Sequence, residues 1–233
     1  LKGRYFPYLD ENQHFQFPPV DKSTPEGIVA AGGNLSPGML LSAYTQGIFP
    51  WYSEYEPILW WSPDPRFVLF PEELHVSKSM GRVMKKEEFT CTADTCFERV
   101  IRSCREIERP GQPGTWITND MLEAYIELHR LGYAHSVEAW QGEDLAGGLY
   151  GVSLGKCFFG ESMFSKKSNS SKAALIFLAG RLKERGFHFI DCQVYTSHLK
   201  SLGAREIPRR EFIGRLELGL GYDTLEGSWK EII

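Results

Sequence analysis

The sequence predicts an α+β fold: a small N-terminal domain over residues 1–65, then a larger domain over 66–233 with a mixed, mostly antiparallel sheet flanked by helices. Three features carry this. The apolar runs AHSVEAW, LAGGLYGV and CFFGESMF are separated only by the turn signals QGED and SLGK, the spacing of an antiparallel meander. Segments with apolar residues at helical spacing stand before and after that meander. The stretch up to residue 65 is rich in Pro, Gly and aromatics, with a single helical pattern.

That first helix opens at Ser36-Pro37 and stops at Gly47, because Ser suits the N-cap, Pro the first helical position and Gly the exit. GIFPWYS and ILWWSPDPR follow as Pro-punctuated loops holding Trp51, Trp60 and Trp61, half of the six tryptophans. Trp60 and Trp61 suit the packing of one domain on the other, and Trp51, between Pro50 and Tyr52, suits stacking on a flat ligand such as a base. SKSMGRVMKK reads as a helix with Met80, Val83 and Met84 on one face and Lys78, Arg82, Lys85 and Lys86 on the other. A strand at FTCT, a helix capped near Asp94 and a polar loop, ERPGQPGTW, ending at Trp116 come next. Met121, Leu122, Tyr125 and Leu128 then mark a helix closed by Gly132. After the meander a helix runs from about Ser171 to Gly186, followed by the strand FHFIDCQV, the helix SHLKSLG and the strand AREIP. Helix, three antiparallel strands, helix, strand, helix, strand is the order of the acyltransferase fold named after the GCN5-type N-acetyltransferases. Fold leaves chemistry open.

Composition narrows the function classes. The 42% hydrophobic content suits a soluble globular protein, no apolar run approaches a membrane span, and LKGRYFPYLDENQ lacks the apolar core of a signal peptide, so a cytoplasmic location without membrane association is expected. Five cysteines without a Cys-x-x-Cys, with Cys91, Cys96 and Cys104 far from any evident His pair, predict reduced thiols and no metal site. A formal charge of -4 argues against indiscriminate nucleic-acid binding while leaving room for a local basic patch. The four-cation stripe fits either a solvated helix face or phosphate contacts.

The strand FHFIDCQV poses the sharpest chemical question. Alternation puts Phe189, Asp191 and Gln193 on one side, and a buried carboxylate is costly unless paired. The acid and the amide therefore either end a buried network or face a cleft. A coenzyme-A acyltransferase of this fold needs a Gly-rich loop before the helix that follows the meander; FSKKSNSSKAAL contains no glycine, so that donor is disfavoured. A serine-hydrolase elbow at Gly160-Glu161-Ser162-Met163-Phe164 lacks its second glycine. Glu161 is either a solvated or capping residue or the holder of a substrate amino group. Polar residues converging on an apolar cleft, beside tryptophans and a basic helix, suit a ligand with an amine, an apolar side chain, a base and phosphates. Aminoacyl-tRNA has all four.

GGNLSP, GIFPWYS, ILWWSPDPR, GTWIT, AYIELHRLGYAHSVE, GGLYGV, FGESMFS, SKAAL, IDCQV and HLKSLGAREIPR together resemble the bacterial leucyl/phenylalanyl-tRNA–protein transferases over nearly the whole chain. The resemblance implies no cofactor, a cytoplasmic enzyme, and transfer of Leu or Phe, with Met a further donor, from aminoacyl-tRNA to proteins beginning with Arg or Lys, marking them for degradation; a monomer is expected. It implies that Trp51 and Trp116, with Tyr44 and Tyr125, surround the 3′-terminal adenosine and that Glu161 binds near the aminoacyl group. Leu149, Phe158, Met163, Leu175, Leu178 and Ile190 would form the side-chain pocket, Asp191 and Gln193 the catalytic pair, and Lys78, Arg82, Lys85 and Lys86 the acceptor-stem contact. An amide is a weak base, so the chemistry favours Gln193 as an orienting hydrogen bonder and Asp191 as the anion that aligns the incoming ammonium. Rivals are an aminoacyl-tRNA-dependent transferase acting on a lipid-linked amine and a non-catalytic binder of N-terminal Arg or Lys.

Overall fold

A computed structural model describes residues 6–107 and 115–231. The chain begins with β1 (Ile28–Ala31), α1 (Pro37–Thr45), β2 (Phe49–Pro50) and β3 (Leu59–Trp61), and the three strands form an antiparallel sheet in the order β1-β3-β2. Ser36 and Pro37 take the predicted N-cap and first-turn positions, but the Ser36 hydroxyl caps nothing; its own N–H donates to Asn34 Oδ1 at 3.0 Å.

Next come β4 (Arg66–Leu69), α2 (Lys78–Lys85), β5 (Thr90–Ala93), α3 (Phe97–Glu106), α4 (Asn119–Arg130), β6 (Ala134–Gln141), β7 (Asp144–Leu154) and β8 (Cys157–Ser165). The chain closes with α5 (Ser170–Glu184), β9 (Phe189–Gln193), α6 (Ser197–Lys200), β10 (Arg205–Ile207) and α7 (Arg209–Leu220). A second sheet has the order β10-β4-β9-β8-β7-β6-β5, and its pairs are antiparallel except β8–β9. The expected mixed, mostly antiparallel sheet is therefore present, with helices packed against it. No helix among the described residues is long and apolar enough to cross a membrane.

The predicted meander is β6-β7-β8. Gly132 and Gly186 end α4 and α5 with φ of 87° and 70°, values that glycine adopts without steric penalty. Differences arise where long-range partners decide. Asp94 does not cap α3; its carboxylate accepts the backbone N–H groups of Ser136 at 2.8 Å and Trp229 at 2.7 Å, while Glu138 of β6 accepts those of Thr95 and Cys96. Most of the loop before Trp116 lies outside the described residues. The small sheet, the pairing of β4 with β9 and β10, and α7 are additions to the sequence reading. Two apolar cores result: one joins α1, β2 and β3 to α3, α4 and α7, and the other lies under α5 and Trp229.

Candidate active site

The site opens where β8 and β9 part. Their parallel ladder runs through Cys157–Phe189, Phe158–Ile190 and Phe159–Asp191 and then stops, although both strands continue. Two local irregularities aim side chains into the gap. Tyr150 pairs with Ser162 and Gly151 with Gly160, so Glu161 is the extra residue of a β-bulge. Opposite it, Gln193 has φ of 64°, a conformation that a residue with a Cβ adopts at a cost.

Glu161 is the hub. Tyr44 donates to its Oε1 at 2.8 Å, Tyr125 to its Oε2 at 2.9 Å, and the Gln193 amide to Oε1 at 2.8 Å; the two tyrosine hydroxyls also hydrogen-bond each other. Burial pushes the Glu161 carboxyl up from 4.5 to about 7, against the pull of the two tyrosine hydrogen bonds and with an added push from the charge of Asp191. Both tyrosines have raised pKa values, chiefly by burial and then by the charge of Glu161, so each remains a neutral donor. This corrects the expectation for Tyr44 and Tyr125. Both are fully buried behind Glu161 and hold its carboxyl; neither lines the cavity as an adenosine contact.

Asp191 is corrected too. Arg66 of β4 clasps it with Nε at 2.8 Å from Oδ1 and Nη2 at 2.6 Å from Oδ2, both residues are fully buried, and Oδ1 also accepts the backbone N–H of Gln193 at 2.9 Å. A carboxylate so compensated is not an open anion awaiting an ammonium. Both Asp191 and Gln193 border the cavity, but the Asp191 carboxylate is committed to a buried network while the Gln193 amide reaches across to Glu161. Arg66 escaped the sequence reading. Its signal was a lone cation opening the apolar run RFVLF, with a lone acid in another apolar strand to match it.

The remaining candidates fall into two groups. Leu149, Phe158, Met163, Leu175, Leu178 and Ile190 line a cavity of about 570 Å³ together with Glu161 and Gln193, and Trp51 and Trp116 stand on its wall, both half-buried. The Phe158 ring fits because Gly151 has no Cβ, which would stand 2.6 Å from that ring. Trp51 is steadied by Trp61, whose ring lies 5.6 Å away and whose indole N–H donates to the Trp51 carbonyl at 2.6 Å. The cations Lys78, Arg82, Lys85 and Lys86 are all exposed on or just after α2, which packs on α5 and contributes no residue to the cavity wall. Ser77 caps α2 by accepting the Met80 N–H at 3.2 Å.

A largely apolar cavity bordered by a buried carboxyl hub and two indoles combines surfaces suited to an apolar side chain, a polar group and a flat ring. Comparison with known proteins agrees in kind. Residues 68–217 match the family model for leucyl/phenylalanyl-tRNA protein transferase, and residues 33–64 match the model for the N-terminal domain of the same family. The chain is 60% identical over 213 residues to the leucyl/phenylalanyl-tRNA–protein transferase of Syntrophus aciditrophicus, covering 91% of this chain and 89% of the relative. It is 56% identical over 213 residues to the protein of that name from Anaeromyxobacter sp. strain Fw109-5, covering 91% of each. A solved structure, L-PGS from Bacillus licheniformis, aligns with a TM-score of 0.37 at 12% identity over 66% of this chain and 56% of that one. With a family model spanning most of its length and relatives this similar over 91% of it, the chain belongs to the leucyl/phenylalanyl-tRNA–protein transferase family of aminoacyltransferases.

Proposed function

We propose that this enzyme transfers Leu or Phe, with Met a further donor, from aminoacyl-tRNA to the α-amine of proteins with N-terminal Arg or Lys, creating a degradation signal in the cytoplasm. The observation that carries this reading is the meeting, where β8 and β9 part, of the apolar slot with the Glu161–Gln193 hydrogen bond. The slot takes the aminoacyl side chain, Trp51 and Trp116 stack on the terminal adenosine, and Glu161 faces the amine. The α2 cations contact backbone phosphates. In this reading residues 66–233 form a catalytic domain of the GCN5-type acyltransferase fold and residues 1–65 a small N-terminal domain, a division that the two separate sheets support.

The chemistry asks little base strength. The tRNA ester is an activated acyl donor, and a peptide α-amine with a pKa of about 7.7–8 has a usable neutral fraction near neutrality. Attack of that amine on the ester carbonyl forms the peptide bond and expels the tRNA hydroxyl, so positioning and donation to the developing oxyanion supply the acceleration. Gln193 suits that part: one of its two amide hydrogens goes to Glu161, which leaves the other to donate, and its backbone N–H is held by Asp191.

Incubation of the purified protein with labelled Phe-tRNA and an Arg-initiated peptide tests the reading. Labelled peptide is expected, and none from an acetylated peptide. Transfer to a lipid-linked amine instead, or peptide binding without transfer, would replace this function by one of its rivals.

A further inference from the structure

The Arg66–Asp191 pair is an expensive arrangement. Both side chains are fully buried, and Arg66 Nη1 has no hydrogen-bond partner. The guanidinium is pressed between the rings of Phe49, at 4.7 Å, and Phe212, at 4.5 Å. Buried ion pairs of this kind usually add little stability over an apolar pair of the same volume, so what this one supplies is geometry. Its two parallel contacts fix the carboxylate plane of Asp191, which a single ammonium could not do. Asp191 Oδ1 is in turn the acceptor that holds the backbone N–H of Gln193 in its left-handed turn, and Gln193 reaches Glu161 from that turn. The flanking rings extend the contact outward: Phe49 belongs to the cavity wall and Phe212 to α7.

On this basis, and resting on the transfer reading above, we propose that Arg66 is a positioning residue for the reaction: it acts through Asp191 to set the orientation of Gln193, without touching substrate. Replacement by Lys keeps the charge and loses the fork. R66K should therefore slow transfer while leaving the donor slot and the tryptophan wall, and so tRNA binding, intact.

The test is a cycle of R66K, D191N and R66K/D191N, read by single-turnover transfer of labelled Phe to an Arg-initiated peptide, with Phe-tRNA Kd and Tm measured on the same samples. R66K is expected to lower the transfer rate constant roughly 10- to 100-fold, the scale of a small misplacement, with Kd changed less than about twofold. The double variant should be no slower than the slower single one, because both act along one path. Wild-type transfer by R66K, independent multiplicative losses, or a lowered Tm with an unchanged rate for the folded fraction would overturn the role. Should R66K fail to fold, R66M/D191L removes both buried charges together; it is expected to fold, bind Phe-tRNA and transfer at least about tenfold more slowly, and wild-type transfer by it would equally overturn the role. A wild-type chain that yields no labelled peptide removes the transfer reading itself, whereas wild-type transfer with unaffected R66K removes Arg66 alone.

Discussion

At Glu161 three donors meet one carboxyl, and the energetic consequence depends on pH. Its folded pKa of about 7 lies above the ordinary 4.5, so the folded state binds this proton more tightly than the unfolded chain does. The resulting contribution to stability is complete below about pH 4.5 and is lost as pH rises through about 7. By pH 8 the ionised carboxylate costs the fold on the order of 3 kcal/mol relative to the protonated one. Glu161→Gln is therefore expected to raise Tm at pH 8 and to change it little at pH 5, while slowing transfer; melts at the two pH values check this. In the pH–rate profile the limb near 7 should vanish in that variant, leaving the limb of the acceptor amine near about 7.7–8. Gln193 is separable by its own substitutions. Gln193→Ala should lower kcat by about 10²–10³, as removal of a preorganised donor does. Gln193→Glu sets a carboxylate where the amide now donates to Glu161 at 2.8 Å, so slow transfer is expected, and a wild-type rate would make Gln193 a base after all.

Helix α2 shows an element that sequence describes fully in itself and only partly in its setting. Its period of 3.6 already separates Met80, which is buried, from the four exposed cations. If those cations meet tRNA phosphates, each Lys or Arg changed to Ala should reduce the salt slope of binding by about one, with the choice between Leu and Phe unchanged. A quadruple alanine variant whose salt slope equals that of wild type would leave α2 a solvated face. Strand β9 behaves differently. Alternation correctly groups Asp191 with Gln193, but the left-handed turn at Gln193 follows from a bond to Asp191 and a register slip against β4, neither of which an alternating pattern records. The bulge that frees Glu161 is likewise a property of the β7–β8 pairing and not of FGESMF alone.

Across the molecule, the chain's last segment supports the cavity from behind. Trp229 is fully buried, stacks on His135 at 3.9 Å, lies 5.8 Å from the Phe158 ring, and is anchored by its backbone N–H on Asp94 at 2.7 Å. Burial lowers the pKa of His135 against the pull of Asp94, so the imidazole is neutral there and donates from Nδ1 to that carboxylate at 2.9 Å. Trp229→Ala should cost about 3–5 kcal/mol and lower Tm, and the loosened Phe158 should narrow the gap in kcat/KM between Leu-tRNA and larger donors. Thermal melts and donor competition measure both. Arg209, the first residue of α7, ties that helix to the segments before β1 and after β3, donating to Ser23 Oγ at 2.7 Å and the Ser62 carbonyl at 2.6 Å.

The helices before α7, the meander and the glycine exits were readable from the chain, because each is encoded by neighbours within a few residues whose spacing repeats, whereas the apolar members of the slot came from the family resemblance and not from local spacing. Trp51 and the Asp191–Gln193 pair were readable as candidates for the opposite reason: they are the wrong kind of residue for the local pattern. What Asp191 does was not. Its partner Arg66 stands 125 residues away in sequence and meets it only because β4 enters the sheet beside β9. Tyr44, 117 residues from Glu161, is a carboxyl holder only because α1 is laid against the same core as α4. Local periodicity specifies which face of an element is apolar; which charged groups are desolvated together depends on the order in which distant strands and helices are stacked, and that order exists only in the folded chain.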